Sequence, residues 1–104
     1  MITALVQFRL PEPVTPARAR ELFLGSAPNY LGVDGLVRKY YLLSADGGSA
    51  GGAYLWRTRS EAESFYSAAW QQMIEERYGA TPTVTYFETP VVVDNLVGEI
   101  IDGG

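Results

Sequence analysis

The chain contains no cysteine and no histidine. Without cysteine there is no disulfide, no thiolate chemistry and no Cys-based metal site. Without histidine the commonest general base near neutral pH is missing, as are the commonest metal ligand and the proximal ligand of a haem. Long apolar runs are also absent. No stretch approaches the roughly 18 consecutive apolar residues of a membrane span, and the N-terminus shows no charged-then-apolar signal pattern. A soluble cytoplasmic protein with no membrane partner is the expectation. Positive charge is scarce: eight Lys/Arg stand against twelve Asp/Glu, for a net charge of −4 and a pI near 4.6. That balance argues against a nucleic-acid partner, whose phosphates need a basic surface.

The cations that are present sit mostly in the first part of the chain. Residues 1–59 hold seven Lys/Arg against four acids, and residues 60–104 hold one Arg against eight acids. Arg9, Arg38, Lys39 and Arg57 fall in stretches that read as strands, so local positive charge on a sheet could suit an anionic or phenolic ligand. The acids Glu61, Glu63, Glu75 and Glu76 read as a solvated helix face and lack the pattern of a metal site. At 104 residues and 47% hydrophobic, the sequence fits one domain spanning 1–104.

Ile2 to Leu10 alternates by twos, with Ile2, Ala4, Val6, Phe8 and Leu10 on one face and Thr3, Leu5, Gln7 and Arg9 on the other, the pattern of a first strand. Thr15-Pro16 is a helix start, and Ala19, Leu22, Phe23 and Ala27 continue it at helical spacing until Pro28. Leu36 to Leu43 is rich in branched and aromatic residues and reads as a second strand. Its faces are expected to be Leu36/Arg38/Tyr40/Leu42 and Val37/Lys39/Tyr41/Leu43. Residues 44–50 have the composition of a hairpin loop, followed by a third strand through Gly51-Gly52-Ala53-Tyr54-Leu55-Trp56-Arg57. Whether Tyr40 or Tyr41 stands beside Trp56 depends on the register of that loop.

Ser60 to Glu63 has capping-box form, and Ala62, Phe65, Tyr66, Ala69, Trp70 and Met73 carry a second helix to about Tyr78, stopped by Gly79. Thr83 to Glu88 is a fourth strand, and an apolar tail follows Pro90. The order predicts an α+β, ferredoxin-like βαββαβ domain, with a four-stranded antiparallel sheet and two helices on one face. The second sheet face is too apolar to stay solvated, so a partner is expected to cover it.

Several of these stretches together resemble one family: Ala50 to Trp56, Leu5-Val6-Gln7-Phe8, Lys39-Tyr40-Tyr41 and the tail from Pro90 to Asn95. They are similar to the YdhR-like family of proposed monooxygenases, within the dimeric α/β-barrel superfamily that includes antibiotic-biosynthesis monooxygenases. The resemblance implies a homodimer joined through its sheet faces, with the tail, residues 90–104, at the interface. It also implies a ligand cavity between sheet and helices, used in relatives for cofactor-free oxidation of polycyclic phenols and quinols or for haem degradation. Gln7 and Tyr66 fall near two positions of the haem-degrading set, but no histidine completes it.

On this reading the candidate catalytic residues are Gln7, Lys39 and Tyr66. The candidate substrate-binding residues are Gln7, Arg9, Tyr41, Tyr54, Trp56, Tyr66 and Trp70; no metal site and no cofactor is expected. Aromatic stripes at such spacings are equally often plain core, and Arg9 could as well serve a dimer interface or reach solvent. Gly51-Gly52 precedes a strand and not a helix N-terminus, so close backbone approach explains it better than a phosphate loop. The function read from the chain is a cofactor-independent monooxygenase acting on a small aromatic or quinol-like substrate. The alternative is a non-catalytic dimeric small-molecule-binding or stress-associated protein, and an RNA-binding domain is a third reading that the acidic pI opposes.

Overall fold

A computed structural model describes residues 1–104. The strands are β1 (Ile2–Arg9), β2 (Leu36–Leu43), β3 (Ser49–Trp56) and β4 (Thr83–Glu88), hydrogen-bonded in the order β2-β3-β1-β4 with every neighbour antiparallel. One face of this sheet is covered by α1 (Pro16–Ser26), a 3-10 turn at Ala27–Tyr30, α2 (Arg59–Phe65) and α3 (Ala68–Tyr78). The fold is the ferredoxin-like α+β arrangement, and no helix is long and apolar enough to cross a membrane.

The expected alternation of β1 is realised: Ile2, Ala4, Val6 and Phe8 are buried beneath the helices, and Gln7 and Arg9 are exposed on the opposite face. Thr15 caps α1, its Oγ1 accepting from the Arg18 amide at 3.2 Å.

The second helical stretch departs from expectation. It starts at Arg59, because Thr58 and not Ser60 is the cap: Thr58 Oγ1 accepts from the Glu61 amide at 3.2 Å and donates to the Glu61 carboxylate at 2.9 Å. It is also two helices. Tyr66, at φ −81° and ψ 58°, forms a γ-turn closed by the Ser67 amide on the Phe65 carbonyl at 2.8 Å. Ser67 then caps α3 by accepting from the Trp70 amide at 3.2 Å. The apolar spacing runs unbroken through this bend because Tyr66 and Trp70 face the core on both sides of it.

Strand β3 begins at Ser49, two residues before its glycines, so Gly51 and Gly52 lie inside the strand and not at its entrance. At Gly51 the two backbones meet closely: a Cβ there would lie 1.8 Å from the Val6 carbonyl oxygen. Backbone cannot swing aside as a side chain can. Gly51→Ala should therefore cost about 1–3 kcal/mol, the range for overpacking a filled site, read as a lower urea midpoint with unchanged slope.

The tail also folds. It forms a hairpin of β5 (Val91–Asp94) and β6 (Glu99–Asp102), a separate two-stranded sheet where the sequence reads only as an apolar segment. Arg38 ties it to the main sheet through an ion pair with Asp94 at 3.1 Å. Between this hairpin and the open sheet face lies a hollow of about 450 Å³, lined by residues that include Thr3, Tyr40, Leu55 and Val92. The hairpin's Val93, Leu96, Val97 and Ile100 are exposed.

Candidate functional site

Strand β2 carries one extra residue relative to β3. Leu36 pairs with Trp56 and Arg38 with Leu55, leaving Val37 as a bulge. From that point the alternation is shifted by one, so Lys39 and Tyr41 turn towards the helices and Arg38 and Tyr40 turn to the open face. The expected face that joined Leu36 with Arg38 is thereby corrected: Leu36 shares its side with Lys39.

Lys39 is the only lysine of the chain; the other seven cationic side chains are arginines. Its Nζ lies 3.3 Å from the ring centre of Tyr30, 3.7 Å from that of Tyr41 and 4.6 Å from that of Tyr54. Gly52 makes room for this, since a Cβ there would sit 3.3 Å from Lys39 Cε and 3.0 Å from Tyr54 Cε1. The ammonium is in none of the molecule's ion pairs. Burial without a counter-charge pushes Lys39 down from 10.5 to about 7. Burial likewise raises the phenols of Tyr54 and Tyr41, keeping these walls uncharged.

The surrounding aromatics hold the walls in place. Phe23 stacks on Tyr41 at 4.8 Å, and the Tyr41 hydroxyl is 2.7 Å from Ser26 Oγ. Trp70 Nε1 donates to the Tyr30 hydroxyl at 3.4 Å. Deeper in, Trp56 Nε1 donates to Tyr66 Oη at 3.0 Å. Tyr66 makes edge-on contacts with both Trp56 and Trp70, and none of the three lines the hollows that border Lys39.

Sheet and helices thus meet with little room between them. The inner cavity around Lys39, Tyr41 and Tyr54 holds about 10 Å³, room for about one water. A larger hollow of about 330 Å³ opens outward on the other side of the same lysine, between Leu31, Gly32, Leu36 and Val37, with Tyr30 and Tyr41 shared by both spaces.

Of the residues picked out by sequence, the structure brings together Lys39, Tyr41 and Tyr54. Trp70 reaches them through Tyr30. Trp56 and Tyr66 are neighbours in the packed interior, where burial raises the Tyr66 phenol and leaves it unsuited to accept a proton as phenolate. Gln7 and Arg9 are a correction: they lie across the sheet from Lys39, because β1 presents odd-numbered residues to the open face. Tyr30 was missed. Its segment reads as the exit from α1, and Pro28 is the only hint of the tight turn that swings the ring over the sheet.

No family model matches the sequence, and no curated protein does so. Solved structures do match in three dimensions. A monooxygenase from the gene ActVA-Orf6 of Streptomyces coelicolor, in complex with nanaomycin D, superposes with a TM-score of 0.64 at 19% identity, over 85% of this chain and 86% of that one. The fold is that of the antibiotic-biosynthesis monooxygenases. A proposed member from Deinococcus radiodurans gives a TM-score of 0.65 at 14% identity over 90% and 97% of the two chains. SnoaB, a cofactor-independent oxygenase from Streptomyces nogalater, gives 0.60 at 16% identity over 85% and 91%. The YdhR-like branch is not singled out among these neighbours.

The lowered lysine has a thermodynamic signature. Between pH 7 and 10 the unfolded chain, with Lys39 near 10.5, binds more protons than the folded one, where the value is about 7. Stability must therefore rise with pH across that window. Above 10 the buried tyrosines reverse the trend, since the unfolded chain ionises them first. Lys39→Met should flatten the rise between pH 7 and 10, measured by thermal melts of both proteins over the range.

Proposed function

We propose that the protein is a cofactor-independent monooxygenase for a small phenol or quinol-like aromatic, with Lys39 as the proton acceptor. The observation that carries this reading is a single lysine amine held against three tyrosine faces without a counter-ion, at about neutral pKa. The likeness in fold to a cofactor-independent oxygenase supports it. The substrate occupies the outer hollow beside Leu31, Leu36 and Val37, its acidic O–H or C–H directed at Nζ. The neutral amine takes the proton, and the ammonium so formed is stabilised by the rings and pairs with the new anion.

The electron-rich anion then reduces dioxygen. For an anthrone-like methylene, one oxygen atom becomes the new carbonyl and the other leaves as water, so O₂ and CH₂ give C=O and H₂O. Such chemistry gains from an apolar surrounding that strengthens the ion pair. Two copies packing their open sheet faces, with the exposed apolar hairpin across the seam, complete the proposed enzyme; exposed Phe87, Val93 and Ile100 favour that assembly.

Oxygen uptake with a panel of anthrones, quinols and naphthols tests the reading. Uptake above the protein-free rate, abolished in Lys39→Met, is the expected outcome. Stabilisation of the fold by these ligands with no uptake would instead establish a binding protein that uses the same outer hollow.

A further inference from the structure

We propose that Lys39 is also a carbonyl-capturing amine, whose Nζ condenses with an aromatic aldehyde or ketone held in the outer hollow to form an imine. The inference begins from a contrast within the sequence. Seven cationic side chains are arginines, which stay charged at any accessible pH, and the one lysine is the one taken among the rings. Ring faces and apolar side chains surround the amine, and no carboxylate pins it as an ammonium.

Access and shape fit an aryl carbonyl. Lys39 lines the hollow of about 330 Å³ together with Leu31, Leu36, Val37 and Tyr30, a size at the lower end for small-molecule sites. The substrate ring would lie on apolar surface, with its carbonyl carbon towards Nζ. In the condensation the amine lone pair forms the C–N bond and the carbonyl oxygen becomes a carbinolamine hydroxyl. One amine proton moves to that oxygen, and the hydroxyl then leaves with the second as water, giving C=N. The reaction consumes no oxidant and no reductant. The hydroxyl of Tyr30, on the nearest ring, is the available group for moving a proton to the departing oxygen. The ionisable groups around the same inner cavity are Tyr30, Tyr41 and Tyr54, with Arg77 and Tyr78 from α3, and Arg38 borders the outer hollow; none is a carboxylate. At about 7, half of the amine is neutral and nucleophilic in neutral solution.

The site is shared with the proposed oxidation, but the chemistry is separate and is tested without oxygen. The protein is incubated with 4-hydroxybenzaldehyde under nitrogen at pH 7, reduced with cyanoborohydride, and mapped by peptide mass spectrometry. Nα-acetyl-lysine amide in the same tube serves as the reference amine. The only other primary amine in the sequence is that of Met1, which donates to the Gly103 carbonyl.

The expected result is one adduct, at Lys39, formed on the order of 10-fold or more faster than on the reference amine, as the larger neutral fraction requires. Urea-unfolded protein should lose that advantage, a control that needs no variant. Lys39→Arg should carry no adduct on the folded chain. Modification confined to Met1, or labelling of Lys39 no faster than the reference or no slower after unfolding, would overturn the proposal. Failure of oxygen uptake would leave this result standing, and failure of capture would leave the oxidation standing.

Discussion

Trp56→Ala should lower the stability of the folded chain by about 3–5 kcal/mol, the cost of truncating a fully buried large aromatic. Trp56 has no exposed surface and lies where β1, β3 and the bend at Tyr66 converge. Two effects add. The missing indole leaves a void bordered by Tyr54, Phe65 and Tyr66, rings too rigid to fill it. The Tyr66 hydroxyl also loses the indole N–H that it accepts. Against a total of about 5–15 kcal/mol for a domain, this is a large share. At roughly 4–8 °C per kcal/mol for a chain of this size, the melting temperature should fall by more than 10 °C. Trp56→Phe keeps most of the apolar contact and should cost distinctly less. Equal losses for the two variants would mean that the interior is looser than the ring geometry indicates.

Lys39→Met should reduce turnover of an oxidisable phenol or anthrone by on the order of 10²–10⁴-fold, the usual contribution of a positioned acid-base group. Lys39→Arg should be as inactive, because guanidinium keeps its proton. This pair separates proton acceptance from charge. If positive charge alone stabilised a substrate anion, arginine would rescue; if the amine accepts a proton, it would not. The pH dependence has a definite sign. The neutral amine is the active form, so the rate should climb with pH and reach half its plateau at about 7 in the free enzyme. A rate indifferent to pH between 6 and 8 would remove Lys39 from the reaction. Met should restore the apolar environment around the three tyrosines, so loss of turnover in a variant that melts no lower than the parent excludes unfolding as its cause.

Strand and helix order was legible because alternation in β1 and helical spacing in α1 are local signals that the fold then obeys. The break at Tyr66 was not legible, since both sides of it bury aromatics and only Ser67 marks a second start. Gln7 shows a different limit. Whether it shares a side with Lys39 depends on pairing parity, which is a long-range property that neither strand's own pattern carries. The choice between Tyr40 and Tyr41 turns on the same property. Tyr30 was hidden more deeply, because a short 3-10 turn carries no periodicity to mark which way a ring points. The aromatic residues do gather into one cluster. Which of its members pack and which border a hollow depends on a few ångströms of depth that spacing cannot convey.

The extra residue in β2 has an implication for how this molecule could change. Both ends of that strand are anchored: Leu36 opposite Trp56 at one, and the turn from Leu43 to Ser49 at the other. Val37 is the one residue by which the two anchors are out of step. A strand shortened by that single codon would keep both anchors, with Leu36 opposite Trp56 and Arg38 opposite Leu55 in unbroken register. Every side chain beyond it would hold its face, and Lys39 would stay among the tyrosines. The bulge is thus a spare residue, and a one-codon deletion here would straighten the strand and leave the chemistry of the chamber in place.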